Sequence, residues 1–441
     1  MYEPKTIDRA ISPLLLMQLI TGLGVFSDSN NRVIKFFEFL YSGCYMVIFY
    51  YTFQYGIELY DNLYFLNVFM LNRISIKYTH MANAIIMGSL IALGRLNAKN
   101  VKNVIALFNK YDQSAEEMGL PREYRVAYQY QLYAFAISAL FILTSAVTQY
   151  LLYLPPMLQL YKKAIIIFVL HFPLLLYSVC VISFCFWIRC LELKFQQLNN
   201  LLRSLEAAKP DLPQEKRILT MFYDFNNKKF SSLENEDIKR DKGDALTMRL
   251  VKQAHLELIK IAGVVNSTYG VQILLLIFSA FTYLVTSLHT NYKTLWLSPD
   301  MEQTLRLIVL PTFAACFCGL EIFAVGHACG KTSTESASTG DLFCKLYQTS
   351  TSKEFRAEIR DFTLQMVQNP LMFTACGFFT VDHSFILSII GVVITYLVIL
   401  IQMEDTTTKT YRRLLERNLT TENDAPIGCN DFNMNCTIKY N

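Results

Sequence analysis

Residues 395–405 read T-Y-L-V-I-L-I-Q-M-E-D. An apolar run that ends in an amide, a thioether and two carboxylates is either a membrane helix leaving hydrocarbon or a core helix reaching solvent. On a helix Tyr396, Ile399, Gln402 and Met403 share one face at i, i+3, i+6 and i+7, while Leu397, Leu400 and Ile401 point elsewhere. What that face meets depends on the rest of the chain.

The 441 residues are 53% hydrophobic and only 17% charged, with mean hydropathy +0.29. A soluble domain carries about a quarter charged residues, and the deficit here falls in discrete blocks. Seven of them are long enough to cross a hydrocarbon core, which takes roughly 17 to 25 helical residues: 36–57, 79–97, 132–154, 164–190, 265–290, 304–328 and 380–402. The expected fold is therefore all-α and polytopic, with TYLVILIQMED closing the last span.

Charge sets the orientation. Segments 1–35, 95–131, 189–262 and 329–379 hold 29 of the 40 Lys and Arg, against 10 in the alternate set. The positive-inside bias places the N-terminus in the cytosol and the C-terminus outside. The tail agrees, because Asn418-Leu-Thr and Asn435-Cys-Thr are glycosylation sequons usable only on that side, and Cys429 and Cys436 are spaced to close a small loop. The N-terminal stretch lacks a small-residue cleavage site and does not read as a cleaved signal peptide.

Two inner segments repeat apolar residues at helical spacing, LKFQQLNNLLRSL from Leu193 and MRLVKQAHLELIKIAGVVN from Met248. Each continues a neighbouring span beyond the membrane, and each needs a partner, the most economical being the other. Between them, 206–247 is rich in charge and Asn, contains Pro210 and Pro213, and reads as a loop. No basic-aromatic stripe points to nucleic acid. Scattered histidines and the lack of any nucleophile elbow, zinc-binding or phosphate-loop motif argue against catalysis, and no cofactor is expected.

Polar groups inside the spans are the stronger functional clue, because each is costly in hydrocarbon unless it faces a partner or a cavity. Glu321 is the clearest carboxylate in a span, and pairing with a basic residue at the inner end is its simplest reading. Toward the outer halves, Thr79, Asn83, Gln149, Tyr150, His171, Thr282, Tyr283, Thr286 and Thr312 make a set suited to a pocket for a small polar molecule.

TYLVILIQ resembles the C-terminal signature of the insect gustatory receptor family: Thr-Tyr, five apolar residues, Gln, then usually Phe. Thr395, Tyr396 and Gln402 match, Met403 stands where Phe is customary, and the preceding FTACGFFTVDHSFILSIIGVVI is also similar. The resemblance implies a ligand-gated, non-selective cation channel of four subunits, homo- or heterotetrameric, with the seventh helix split into a cytosolic and a pore-lining part. It implies a six-helix bundle over 1–328, an anchor and pore helix over 329–402 and an extracellular tail over 403–441. Tyr396, Ile399, Gln402 and Met403 would then face the pore, and Glu404 and Asp405 would draw cations to its outer mouth. Leu397 follows Thr-Tyr where the main sugar-sensing branch carries Glu, which leaves a fructose or bitter tastant as the expected partner, besides membrane lipids. The expected place is the plasma membrane of sensory neurons. A G-protein-coupled receptor or a transporter is the alternative, but neither the Asp-Arg-Tyr and Asn-Pro-x-x-Tyr motifs nor symmetric broken spans are present.

Overall fold

The computed structural model describes residues 4–24, 32–64, 70–207, 230–297, 301–349 and 353–423. Its helices are α1 Ile7–Ile20, α2 Arg32–Tyr64, α3 Met70–Glu117, α4 Arg125–Thr148, α5 Leu160–Ala207, α6 Phe230–Leu297, α7 Met301–Thr349, α8 Lys353–Gln368 and α9 His383–Asn423. A five-residue π-helical turn, Gln149–Tyr153, ends α4. The chain resolves into two units, Met1–Val393 and Ile394–Asn441.

Six helices among the described residues are long and apolar enough to cross a membrane. The expected spans from 79–97 onward each fall within one of them, apart from one residue past the π turn and residues 380–382, which precede α9. The first expected span, 36–57, lies inside α2, some of whose side chains lie outside the described residues.

The helices outrun any bilayer. At 1.5 Å per residue the 48 residues of α3 extend about 72 Å, more than twice the ~30 Å hydrocarbon core. Their surplus builds a second core at one end, here the anchor end. The two inner stripes meet there as expected: Phe195, Leu198 and Leu202 of α5 and Val251 and Leu258 of α6 are buried with Phe343 and Leu346 of α7 and Ile359 and Phe362 of α8. His255 lies edge-on between Phe195 and Phe362, its ring 5.2 Å from each. Asn199 fixes the register of α5 on α7, accepting from the Thr339 hydroxyl at 2.7 Å and donating to the Glu335 carbonyl at 2.9 Å.

Where α3 and α4 enter this end, Lys194 and Asp112 form a buried ion pair at 2.8 Å. The Tyr124 hydroxyl donates to the other carboxylate oxygen at 2.6 Å, and the ammonium sits 4.6 Å from the centre of the same ring. Burial and the adjacent Asp112 push the Tyr124 phenol upward, so it remains a donor.

One sequence expectation is corrected here. Residues 230–247, read as loop, belong to α6, and the helix breakers Pro210 and Pro213 lie well before them. The helix carrying the expected sixth span, 304–328, runs on unbroken to Thr349.

Between α8 and α9 the chain makes a small hook. Val381 donates to the Phe373 carbonyl at 2.8 Å and Ala375 to the Phe379 carbonyl at 3.0 Å, and the turn between them runs through Cys376 and Gly377 at φ 53° and 79°. Asn266 of α6 clamps the hook: it donates to Thr374 Oγ1 at 3.1 Å and accepts from the Thr374 amide at 2.9 Å. Gly270, one turn further on, permits the approach, because a Cβ there would stand 3.2 Å from the Cys376 nitrogen. Asn266 opens a further sequon, Asn266-Ser267-Thr268, whose amide is thus held in a structural contact. Asp382 closes the motif by accepting from the Phe385 amide at 3.0 Å, an N-cap for α9.

Candidate ligand cavity and pore face

Away from the anchor end, α2, α3, the π turn, α5, α6 and α7 enclose a cavity of about 280 Å³. Five of the nine residues singled out from sequence lie on its wall: Thr79, Gln149, His171, Tyr283 and Thr286. Thr79 and Thr286 share a hydrogen bond at 2.9 Å that ties α3 to α6. His171 bridges the Ile167 carbonyl and the Ser145 hydroxyl, each at 3.0 Å, which fixes its ring plane. The His80 ring stands edge-on to both Tyr60 and Tyr283, giving the cavity an aromatic corner.

The other four stand off the wall, each for a local reason. Asn83 is buried but spends its amide on the chain, donating to the Thr79 carbonyl and accepting from Tyr177 at 3.2 Å and Ser279 at 2.5 Å. Thr282 returns its hydroxyl to the Ser279 carbonyl. Tyr150 turns outward, and the Lys163 ammonium covers its ring at 5.0 Å. Thr312 is exposed and accepts from Asn291 at 3.0 Å.

Gln149 differs from every other polar wall residue described. It is fully buried, and neither its Nε2 nor its Oε1 has a hydrogen-bond partner among the described residues. A buried amide left unpaired costs about 1–3 kcal/mol per group. It opens the π turn Gln149–Tyr153, an irregularity that tends to mark functional positions in helices. The far side of this turn is pinned by the Tyr153 hydroxyl, which donates to the Arg306 carbonyl at 2.6 Å and accepts from the Leu310 amide at 3.2 Å. The wall also includes Ser145, Ser287, Thr290 and Thr294, which sequence reasoning missed. Only their i, i+4 relation to Gln149 (Ser145) or Thr286 (Thr290) could have found some of them.

In the second unit Tyr396, Ile399 and Met403 are exposed by 51%, 43% and 56%, and Gln402 is exposed with them. The helix continues past Gln402, whose carbonyl accepts from Thr406 at 2.9 Å, and runs to Asn423. Glu404, Asp405 and Asn418 lie within it, but their side chains, like Asn435, Cys429 and Cys436 altogether, lie outside the described residues. Glu321 has no basic partner among the described residues: its Oε1 accepts from Ser178 at 3.1 Å. Lys331, the cation that would have suited it, pairs with Glu192 at 3.0 Å.

The family described as 7tm Chemosensory receptor matches residues 12–407. Among curated proteins of Drosophila melanogaster, the chain is 38% identical over 80 residues to the gustatory and pheromone receptor 32a, covering 18% of this chain and 17% of that protein. It is 26% identical over 153 residues to the putative gustatory receptor 28b, 34% of this chain and 33% of that one. Over 175 residues it is 23% identical to the gustatory receptor for sugar taste 43a, 40% of each. The chain thus matches well under half the length of these relatives. Its fold is similar to that of the olfactory receptor OR5 from Machilis hrabei, solved in complex with eugenol, with TM-score 0.59 and 13% identity over 90% of this chain and 98% of that one.

Proposed function

Because the chain belongs to the 7tm chemosensory receptor family, that of the insect gustatory receptors, we propose that it is a taste receptor acting as a ligand-gated, non-selective cation channel. A small polar molecule, fructose or a bitter compound, enters the outer cavity and favours one arrangement of α3 to α7. α2 serves as the first of seven spans, with the N-terminus in the cytosol and the anchor end beside it. Four copies, identical or mixed with related chains, surround one pore in the plasma membrane of a sensory neuron.

The observation that carries this reading is Gln149. An amide that is fully buried, unpaired and set in the wall of a cavity is complementary to a ligand hydroxyl or carbonyl. The ligand gains most if that contact exists only in the conducting arrangement, since equal affinity for both states would shift nothing.

On the pore side Ile399 and Met403 form apolar constrictions that gate by dewetting, and Gln402 presents amide oxygens to a partly hydrated cation. Tyr396 stands beside them. Glu404 and Asp405 concentrate cations at the outer mouth, and Asn418 and Asn435 carry glycans. The test is whole-cell current during a screen of sugars and bitter compounds. Gln149→Ala is expected to raise the half-maximal ligand concentration at least tenfold without altering permeability, and Gln402→Ala to alter permeability without moving the ligand response. Currents indifferent to substitutions at 399, 402 and 403 would remove the pore assignment.

A further inference from the structure

A second and larger cavity, about 690 Å³, lies between α4, α5 and α7 on the anchor side of the outer one. It is a lateral groove. Its rim residues Tyr133, Ile137, Leu320 and Phe323 are more than half exposed, so it opens outward through the side of the bundle. Its interior is aromatic and aliphatic, with Phe141 packed against Phe317 at 5.7 Å between ring centres.

The charges lining the groove are unevenly placed. Glu192 contacts the Arg189 guanidinium, lies 3.0 Å from Lys331 and accepts from Gln196 at 3.1 Å, so both cations are engaged there and neither reaches Glu321. Among the described residues Glu321 is left with the Ser178 hydroxyl. That hydroxyl carries one proton and also lies 3.0 Å from the Leu174 carbonyl, so it is a shared donor. A carboxylate on an apolar wall with a fraction of one hydrogen bond is complementary to a cation, and the rings around it suit an organic cation better than a hydrated metal ion.

We propose that this groove binds a protonated tertiary amine carrying an aromatic or alkyl body. The ammonium proton is donated to Glu321 and the body lies along Phe141, Phe317 and Ile137. Entry is from the membrane through the open rim, which a lipophilic amine can reach and a sugar cannot. The site is separate from the outer cavity, so an amine here modulates the receptor alongside the ligand held near Gln149.

The experiment uses the full chain purified into phosphatidylcholine nanodiscs, with a tritiated N,N-dimethyl-phenylalkylamine as probe and its uncharged carbon isostere as control. Wild type should bind the amine at least tenfold more tightly than Glu321→Gln, and the isostere should bind both proteins equally weakly. Ile137→Trp, a change on the exposed rim that fills the groove without disturbing the core, should abolish binding while the protein stays monodisperse. Gln149→Ala should leave amine binding unchanged, whether or not the outer cavity binds a tastant. Equal amine affinity in wild type and Glu321→Gln, or displacement by the isostere at the same concentration, would overturn the proposal. So would loss of binding on Lys331→Ala with none on Glu321→Gln, which would make the groove a phospholipid seat.

Discussion

α5 and α9 are both strongly apolar, yet 61% of the most apolar stretch of α5 is buried within the chain and only 11% of that of α9. Apolarity says that a helix leaves water, not what it meets. α5 is held by directional contacts at its apolar positions: Ser183 accepts from Gln18 at 2.8 Å, and Trp187 donates to the Tyr269 hydroxyl at 3.0 Å. The span of α9 presents Leu387, Ile390, Val392, Ile394, Val398 and Ile399 on several sides, all at least two-fifths exposed. Such a surface is satisfied by lipid or by another copy of the chain, and lipid gives little hydrophobic drive between the two. α5 is thus a post of the single chain, and α9 is a helix with little of its apolar surface covered by the chain itself.

Breaking the post should have the largest effect. Lys194→Met leaves the Asp112 carboxylate buried beside Tyr124 without its cation and is expected to destabilise by about 3–5 kcal/mol. Thermal unfolding of purified protein checks this, and adding Asp112→Leu should restore most of the loss. Next comes the cavity wall. Gln149→Leu removes an unpaired buried amide, so it should stabilise the unliganded protein by about 1–3 kcal/mol while the ligand-evoked current falls. A loss of stability would mean that Gln149 has a structural partner.

Asn266→Ala, which frees the hook from α6, should cost about 1–2 kcal/mol and speed hydrogen exchange at the Thr374 amide. The smallest stability effect is expected at the exposed face of α9. Ile399→Ala should leave the unfolding midpoint of the single chain within about 0.5 kcal/mol of wild type, with its consequence visible in single-channel conductance. A destabilisation equal to that of a buried α5 residue would erase the distinction between the two helices.

Much of this was legible in the residues. Span positions were readable because long apolar blocks have few alternatives to a membrane, and the two inner stripes named their own partners. Helix lengths were not. The tail of α7 looks like surface until tertiary packing supplies the missing face, and nothing in the charged start of α6 marks it as a continuation of the span. For the cavity, composition located the right halves of the right helices, but not which rotamers face inward. Asn83 and Thr282 have the chemistry of ligand contacts and spend it on neighbouring helices or on their own backbone, whereas Gln149 is set apart by partners it lacks, which no sequence displays. The face Tyr396, Ile399, Gln402 and Met403 followed from periodicity alone, its meaning from the family likeness.

The hook over Phe373–Val381 has a mechanical consequence. With Thr374 fastened to Asn266 and Asp382 capping the first turn, α9 is fixed at its base like a cantilever. Eleven residues separate Asp382 from Val393, an arm of about 16.5 Å in a straight helix, so a tilt of about 10° at the clamp sweeps its end through about 2.9 Å. That is close to the width of one water molecule. A deflection too slight to disturb the packing at the root becomes, along the arm, a displacement of molecular size.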